Sequence, residues 1–377
     1  MSDPERRRRA ASPGLARAGS ILEIDLAAIV ANWRRLAKMA AGIQCDAVVK
    51  ADAYGLGMAR VAPALAAAGC RRFFVATIDE GLALRRLLPT AAIAVFGGLL
   101  PGTGREFRRG RLVPVLNDLG QIAAWRRQAA TRALPAMIHI DTGMSRLGLP
   151  PDELARLAAE PERLDGLAIS AVISHLACAD EEEHAQNDAQ LAAFRSALVR
   201  LPPARASLAA SSGIFLGPAY HLDFVRPGAA LYGVNPTPQR PNPMTQVIRL
   251  KGRIIQLRDV DRGVAVGYGA AHRMQRAGRI ATVAVGYADG WLRSASHRGS
   301  VGIAGRRAPV IGRISMDLLT LDATGIDPAV TKPGALVELI DEHHDVDAVA
   351  AAAGTIAYEV LTALGRRHYR VYRDGTG

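Results

Sequence analysis

Residues 45–76 read CDAVVKADAYGLGMARVAPALAAAGCRRFFVA, and their pattern is the clearest indication of the fold. Two short apolar runs, at residues 45–50 and 73–76, flank an alanine-rich segment at residues 58–68 that is long enough for a helix. Apolar runs of this length are typical of strands that are buried on both faces, as in a parallel sheet. The stretch is therefore predicted to form a strand, the helix that follows it and the next parallel strand.

The same unit recurs along the chain up to about residue 232. Further short apolar runs follow, separated mostly by helical segments such as those at residues 79–88, 119–130, 152–159 and 188–201. Eight strand–helix units in one unbroken series predict a (β/α)8 barrel, also called a TIM barrel. A doubly wound sheet is the structural alternative, but no G-x-G-x-x-G motif follows the first strand to support it. The predicted strands span residues 45–50, 73–76, 93–96, 112–116, 136–141, 169–175, 207–210 and 229–232.

The pattern changes at about residue 246, where segments rich in Val, Ile and Thr alternate with turn residues. These segments predict a mostly β second domain, which a helix over residues 356–364 and a strand over residues 369–372 complete. We therefore divide the chain into a disordered basic tail (1–19), a barrel domain (20–245) and a C-terminal β domain (246–377). Residues 21–24 are a candidate strand that pairs with the β domain.

The composition restricts the class of function. The net charge of +12 is spread along the chain, without zinc-finger spacing or an aromatic-plus-basic module, so an anionic ligand and a basic surface explain it better than nucleic acid. The three cysteines, Cys45, Cys70 and Cys178, form no metal-type pair, and we expect no metal site. Sparse cysteine and the lack of a signal-peptide core predict a reducing cytoplasm, and no apolar run is long enough for a membrane span.

Lysine is rare in this chain, and its position is informative. Lysine chemistry needs one of Lys38, Lys50, Lys251 and Lys332, because arginine, which carries nearly all the other positive charge, cannot form a Schiff base. Lys50 ends the first predicted strand, where desolvation would lower its pKa and free the amine as a nucleophile or base. The alternative is a structural lysine that packs its aliphatic chain against the barrel and keeps its ammonium group in water at the rim. The following residues 51–57 (ADAYGLG) favour the functional interpretation, because glycines and a tyrosine suit contacts with phosphate.

Other polar residues also follow predicted strands, and the active site of a barrel lies at the carboxyl ends of its strands. Arg146 follows the fifth strand, His175 ends the sixth, and Ser212 follows the seventh. Arg226, in Arg226-Pro227-Gly228, precedes the eighth strand and needs a partner if it is buried. We therefore expect lysine, arginine, histidine and hydroxyl groups to gather at one rim.

Each of these residues also has a structural interpretation. Ser211-Ser212-Gly213 is a common turn, although at this rim Ser212, Gly213 and the backbone of Gly228 and Ala229 could hold a phosphate. His175 alone is typical of a hydrogen-bonded core histidine. Tyr268 lies between two glycines, a pattern typical of an exposed turn.

In their order along the chain, these motifs resemble those of the alanine racemases. The resemblance covers nearly the whole chain, from about residue 21 to residue 372, and the complete set is specific although each motif alone is weak. It implies an N-terminal barrel followed by a C-terminal β domain. The motifs are VVKADAYGLG (48–57), DTGMSR (141–146), SHL (174–176), RPG (226–228), GYADG (286–290), GRISMD (312–317) and GTIAYE (354–359).

The resemblance implies an isomerase that uses pyridoxal 5'-phosphate (PLP) to interconvert L- and D-alanine and supplies D-alanine for peptidoglycan. Racemisation needs one acid/base group on each face of the reacting carbon. Lys50 matches the lysine that holds the cofactor and works on the D-alanine face. Tyr268 matches the tyrosine that works on the L-alanine face, and it enters from the other subunit of a homodimer.

The resemblance also implies the binding residues. Tyr54, Ser212 and Tyr358 match phosphate contacts. Arg146 matches an arginine near the cofactor phenolic oxygen and the substrate carboxylate, and the backbone of Met316 matches a second carboxylate contact from the partner. His175 matches a residue that links the tyrosine to the arginine at the pyridine nitrogen, which is Arg226 in this chain.

Two positions depart from the family pattern. His139 stands where many members have a lysine that becomes carbamylated and steadies the arginine matched by Arg146. We expect a bound anion such as chloride, or a nearby side chain, to serve there. Ser211 stands where many members have asparagine before the phosphate-binding serine.

Four other functions remain as alternatives. A broad-specificity or serine racemase would share the scaffold. A barrel-type PLP decarboxylase would be expected to place a carboxylate, not Arg226, at the pyridine nitrogen. A non-catalytic PLP-carrier protein would lack the β domain, and a basic nucleic-acid-binding module would show salt-dependent binding.

Overall fold

The structure, a computed structural model, describes residues 13–129 and 133–374. They form two compact units. The barrel unit comprises residues Ala28–Thr245, and the β unit combines the described residues up to Ala27 with those from Gln246 onward. Both described ends of the chain therefore belong to the β unit.

Parallel strands form the centre of the barrel unit. β3 to β9 pair in sequence order as a seven-stranded sheet. β2 and β3 are two parts of one strand, interrupted at Asp46, and β10 pairs in parallel with β2. The strands are β2 (Gln44–Cys45), β3 (Ala47–Val48), β4 (Arg72–Val75), β5 (Ala92–Val95), β6 (Val113–Leu116), β7 (Leu134–His139), β8 (Leu167–Ile173), β9 (Arg205–Ser207) and β10 (Phe224–Val225).

Backbone hydrogen bonds on both sides of β10 close the sheet into a ring. On one side Asp46 N–H donates to the Val225 carbonyl at 2.9 Å. On the other side Arg226 N–H donates to the Ala209 carbonyl at 3.0 Å. The predicted (β/α)8 barrel is therefore confirmed.

Helices follow most of these strands, and side-chain caps set where two of them begin. Thr77 begins one helix directly after β4 with a capping box, in which its hydroxyl accepts from Glu80 N–H at 3.3 Å. Asp118 caps a second helix after β6 by accepting from Gln121 N–H at 2.7 Å. Among the described residues between 26 and 245, the right-handed α-helices are Leu26–Met39, Met58–Ala67, Ile78–Leu87, Gly104–Arg109, Leu119–Arg126, Pro151–Ala159 and Ala185–Leu198.

The prediction for the eighth strand is wrong in position. The strand is Phe224–Val225, whereas Ala229–Tyr232 forms a one-turn 3-10 helix. The chain turns at Gly228, whose carbonyl accepts from Leu231 N–H at 2.9 Å. All four residues of this helix are buried. An apolar run that is buried on all sides carries no periodicity that distinguishes a strand from a helical turn.

The β unit is built on one mixed sheet. The strand order is β14-β17-β16-β15-β18-β11-β1-β19, and β11 also pairs with β14, so six of these strands form a closed ring. The 13-residue β11 makes this possible, because its first half pairs with β1 and β18 and its second half with β14. The strands are β1 (Ser20–Asp25), β11 (Ile248–Val260), β12 (Ala265–Val266), β13 (His272–Arg273), β14 (Gly278–Val283), β15 (Ser300–Ile303), β16 (Arg306–Ile311), β17 (Leu319–Asp322), β18 (Leu336–Ile340) and β19 (Tyr369–Arg373).

The N-terminal segment differs from the predicted tail. Pro13–Arg17 is helical, and residues 1–12 of the predicted tail lie outside the described residues. β1 lies antiparallel to β11 and parallel to β19. Residues 21–24 therefore lie in the sheet of the β unit.

Two helices, Val346–Ala353 and Ala357–Ala363, precede β19. No single helix among the described residues is long and apolar enough to cross a membrane. This helix pair meets the length and composition criteria only jointly, with a bend of 99° between its members.

Candidate active site

The backbone that follows Lys50 adopts a left-handed helical conformation. Ala51, Asp52, Ala53 and Tyr54 have φ values of 53°, 54°, 56° and 54°. Left-handed helical backbone costs an L-residue roughly 1–2 kcal/mol, so four in succession form only where other contacts hold them. We call residues Lys50–Tyr54 the Lys50 turn.

A carboxylate from the neighbouring βα unit holds the start of the Lys50 turn. Glu80 Oε1 accepts from Ala51 N–H at 2.6 Å, while Oε2 accepts from Ala76 N–H at 2.8 Å and Thr77 N–H at 3.2 Å. Asp52 holds the end of the turn, since its Oδ1 accepts from Met58 N–H at 2.7 Å. The strained backbone is therefore tied to two elements that the barrel already fixes.

Aromatic stacking holds the last residue of the turn. The Tyr54 ring stacks on the buried Tyr232 ring with 4.7 Å between centroids, and Tyr232 donates from its hydroxyl to the Val48 carbonyl at 2.9 Å. The Tyr54 hydroxyl lies against Gly228, where a Cβ atom would overlap it. This contact requires glycine at 228 and brings Tyr54 next to the Arg226-Pro227-Gly228 motif.

The Lys50 amine lies in a partly buried, cationic environment. Burial lowers the pKa of Lys50, the Arg146 charge lowers it further, and Glu80 opposes both effects. Nζ lies 6.0 Å from the centroid of the Phe96 ring. A lowered pKa increases the fraction of neutral amine, which is the form that acts as nucleophile or base.

Two one-turn 3-10 helices, Ser212–Ile214 and Ala229–Tyr232, begin at this rim. Ser211 joins them, because its buried Oγ accepts from Gly228 N–H at 3.0 Å and Ala230 N–H at 3.1 Å. The Gly228 donor is thus already used within the chain. Among the described residues, the N–H groups of Gly213 and Ala229 have no acceptor, so they could bind an anion at this rim.

Arg226 is a buried cation at 3% exposure. Its Nε donates to Ser207 Oγ at 3.0 Å, and its Nη2 donates to the carbonyls of Ser174 and, at 3.2 Å, Leu208. Burial lowers the pKa of Arg226 to about 10, while Asp46 acts in the opposite direction. Arg226 therefore stays charged at neutral pH, and these acceptors fix its orientation.

Two histidines near Arg226 are neutral at physiological pH. Burial, followed by the charge of Arg226, lowers the pKa of His175 to about 3 and that of His139 to about 4. The Arg146 charge also lowers both values. This rim therefore keeps its positive charge on arginine.

Arg146 is exposed and lies in the loop that follows β7. Asp141 organises the loop, because its Oδ1 accepts from the N–H groups of Gly143 and Met144 at 2.9 Å and of Ser145 at 3.1 Å. Arg146 itself makes no hydrogen bond within the described chain. Its guanidinium is thus available to an external anion.

The remaining predicted site residues lie in the β unit. Tyr268 is 71% exposed and begins a one-turn helix, Tyr268–Ala270, between β12 and β13. Met316 is 54% exposed, and its carbonyl accepts from Ala288 N–H at 2.9 Å. Tyr358 is 39% exposed in the helix Ala357–Ala363.

The residues of the barrel unit fit PLP, the cofactor that the resemblance implies. Gly228 leaves room beside the Tyr54 hydroxyl that a Cβ would fill, and the N–H groups of Gly213 and Ala229 are suited to a phosphate. Lys50 offers an amine that can form a Schiff base. Arg226 offers a fixed cation beside these groups.

Sequence reasoning missed the structural roles of Glu80, Ser211 and Tyr232 at this rim. Thr77 and Glu80 have the T-x-x-E spacing of a capping box, but nothing in the local sequence reveals the bond from Glu80 to Ala51. Ser211 was noted only as a departure from the family pattern, and Tyr232 was assigned to a strand. Their partners lie in other βα units, so no local pattern reports them.

Both units match known families. Residues 24–236 match the family described as alanine racemase, N-terminal domain, and residues 247–372 match alanine racemase, C-terminal domain. The alanine racemase of Rhodospirillum rubrum is 49% identical over 368 residues, covering 96% of this chain and 98% of the relative. The catabolic alanine racemase of Mesorhizobium japonicum is 48% identical over 363 residues, covering 96% of this chain and 95% of the relative.

Solved structures give the same result. The alanine racemase of Bartonella henselae, with covalently bound pyridoxal phosphate, has a TM-score of 0.91 at 42% identity and covers 94% of this chain and 100% of its own. The biosynthetic alanine racemase of Pseudomonas aeruginosa has a TM-score of 0.88 at 35% identity and covers 94% and 99%. The chain therefore belongs to the alanine racemase family of PLP-dependent isomerases.

Proposed function

We propose that this PLP-dependent alanine racemase moves the α-proton of alanine between two groups, Lys50 on the D-alanine face and Tyr268 on the L-alanine face. The observation that carries the proposal is the Lys50 turn, where strained backbone and a lowered pKa make Lys50 the prepared amine of the barrel unit. Each group acts as acid in one direction and as base in the other.

When bound, PLP withdraws electrons from the α-carbon and so acidifies its proton. The residues that would hold its phosphate are Tyr54, Ser212, Gly213, Ala229 and Tyr358. Ser211 supports this set by fixing the backbone at Gly228 and Ala230. Lys50 would hold the cofactor covalently.

Arg226 would face the pyridine nitrogen. A buried guanidinium that remains charged disfavours a proton on that nitrogen, because two adjacent cations repel each other. Arg226 thereby limits how strongly electrons are withdrawn from the substrate, which favours return of a proton to the α-carbon over transamination or elimination. His175, neutral beside it, adds no second cation.

Arg146 and the backbone of Met316, which the partner subunit would contribute, would bind the substrate carboxylate. Arg146 carries a charge without an internal hydrogen bond, and the Met316 N–H has no acceptor among the described residues. A guanidinium and a backbone N–H are suitable donors for a carboxylate.

Tyr268 would act in the active site of a second copy of this chain. Its side chain is 71% exposed, so its own chain covers little of the phenol. A two-fold dimer would supply the missing surroundings and would give each site one Lys50 and one Tyr268. This exposure supports the homodimer.

We further propose that the enzyme acts in the cytoplasm and supplies D-alanine for peptidoglycan. Relatives of similar identity carry both general and catabolic names, so growth is the appropriate test. Deletion of the gene should make growth depend on added D-alanine. Growth without D-alanine and without another racemase would assign the enzyme to catabolism.

A chiral assay of the purified protein with each L-amino acid, with and without PLP, tests the reaction and its specificity. We expect D-alanine to form from L-alanine only when PLP is present. Faster conversion of L-serine or of larger amino acids would instead support a serine or broad-specificity racemase.

A further inference from the structure

Asn117, directly after β6, has an amide group whose orientation is fixed by its neighbours. Its side chain is buried, and Nδ2 donates to the carbonyls of Phe96 at 3.0 Å and Val115 at 2.9 Å. Backbone carbonyls only accept hydrogen bonds, so the atom that faces them must be the NH2 group. Oδ1 therefore points the other way and can only accept.

That oxygen determines the tautomer of His139. His139 Nδ1 lies 2.8 Å from Asn117 Oδ1, so Nδ1 must carry the hydrogen. Burial and the charges of Arg226 and Arg146 lower the pKa of His139 to about 4, although Asp141 acts in the opposite direction. At neutral pH the ring is therefore uncharged, and Nε2 carries a lone pair.

His139 also lies at the base of the loop that carries Arg146. Its carbonyl accepts from Leu149 N–H at 2.8 Å, and Asp141 N–H donates to the Leu149 carbonyl at 3.0 Å, so the loop leaves and returns at the same point. Gly148 allows this close return, because it has a φ of +103° and a Cβ there would lie 2.7 Å from Asp141 N. Arg146 follows from this base, and its charge acts on the His139 ring.

We propose that His139 is a positioning residue for Arg146, and that its Nε2 accepts a hydrogen bond from the Arg146 guanidinium when a substrate carboxylate is bound. The proposal rests on the proposed function in one respect, since it takes Arg146 as the carboxylate-binding residue. It adds that Asn117 sets the acceptor by fixing the proton on Nδ1.

A neutral acceptor has a different effect from a negatively charged one. It orients the guanidinium without neutralising it, so the full positive charge of Arg146 stays available to the substrate carboxylate. Bicarbonate at fixed pH, ionic strength and chloride should then leave the wild-type activity unchanged, because no lysine stands at this position to be carbamylated.

The direct test is the protonation of His139 in the holoenzyme. Nitrogen-15 spectra of histidine-labelled protein, with the His139 signals assigned by their loss in His139→Gln, should show Nδ1 protonated and Nε2 unprotonated from pH 6 to pH 8. A protonated Nε2 in this range would overturn the proposal even if the enzyme racemises alanine. A wild-type protein that does not racemise alanine would overturn the proposed function and leave this tautomer result intact.

Variants test the consequence for binding. His139→Leu should raise both the KM for alanine and the inhibition constant of acetate, a carboxylate without an amino group, by about tenfold to a hundredfold, with a smaller effect on kcat. His139→Gln, whose amide oxygen can accept, should restore much of this binding. Asn117→Asp should weaken binding as well, because a carboxylate beside Nδ1 favours the doubly protonated ring.

His343→Gln, at an exposed histidine of the β unit, is the matched control. Unchanged acetate inhibition in both His139→Leu and Asn117→Asp would contradict the role.

Discussion

The Lys50 turn and the Tyr268 segment are proposed to carry the two acid/base groups, yet they are built in opposite ways. The Lys50 turn forces four non-glycine residues into left-handed backbone and holds them with Glu80, Asp52 and Tyr232. Tyr268 lies between two glycines that adopt positive φ without strain, and its side chain is mostly exposed. The first group is held by contacts within its own chain, whereas the side chain of the second is largely exposed in the single chain.

The largest expected effect is the loss of Lys50. Lys50→Ala should lower kcat by at least about 10⁴-fold, because both the covalent attachment of PLP and one acid/base group are removed. Borohydride reduction of the wild-type holoenzyme followed by peptide mapping should place the pyridoxyl group on Lys50. A label on Lys38, Lys251 or Lys332 would show that Lys50 is not the lysine that binds PLP.

Loss of Tyr268 should separate the two faces of the substrate. Tyr268→Phe should lower racemisation about 10²- to 10⁴-fold in both directions, because the equilibrium constant is fixed. Exchange of the α-proton with deuterated solvent should persist better for D-alanine, which Lys50 still serves, than for L-alanine. Equal loss of exchange for both isomers would argue against two distinct groups.

Mixed dimers test whether Tyr268 acts outside its own chain. The two inactive variants, Lys50→Ala and Tyr268→Phe, are dissociated, mixed in equal amounts and allowed to reassociate. About half of the dimers should then contain one subunit of each variant, and each of these mixed dimers should have one complete site. Activity should then recover to roughly a quarter of the wild-type value if the sites are independent. No recovery, despite proven subunit exchange, would return Tyr268 to a role within one chain.

Substitutions of Glu80 test how much the conformation of the Lys50 turn contributes to PLP binding. Glu80→Ala removes the acceptor of Ala51 N–H and should weaken PLP binding by roughly tenfold, the scale of one hydrogen bond to a charged group. Glu80→Gln, which keeps an oxygen acceptor, should fall between this variant and wild type. Asp79→Ala removes an exposed carboxylate from the same helix and should change little. Identical PLP affinity in all three variants would mean that the Glu80 hydrogen bond to the Lys50 turn does not contribute to PLP binding.

The smallest effect concerns His175. His175 has a pKa of about 3 in the folded chain and about 6.5 when unfolded, so it takes up a proton on unfolding between these values. Its contribution to stability is complete above pH 6.5 and is lost as the pH falls through this window, at up to about 1.4 kcal/mol per pH unit. Urea unfolding of the holoenzyme from pH 7 to pH 4.5 should show a shallower decline in His175→Gln. Parallel curves would show that His175 is already protonated in the folded protein.

The same contrast explains what could be predicted from the sequence. The barrel strands, the change at residue 246 and the position of Lys50 at the end of a strand follow from local hydrophobic patterns. The Lys50 turn does not, because local preference opposes left-handed backbone in Ala and Tyr, and distant contacts overrule it. The acceptor role of Ser211 could not be predicted for a related reason, since it depends on the N–H groups of Gly228 and Ala230. The displaced eighth strand shows that a fully apolar run gives no information about its own backbone.

The bond between Tyr232 and Val48 also has a consequence for biosynthesis. Its two partners are 184 residues apart in sequence, and the Tyr54 ring stacks on the same Tyr232 side chain. At a synthesis rate of about 5–20 residues per second, Tyr232 is made roughly 10–40 s after the first strand. Until then the growing chain lacks the ring that supports the end of the Lys50 turn. We therefore expect the chain to bind PLP only after Tyr232 has been synthesised, when nearly all of the barrel is complete.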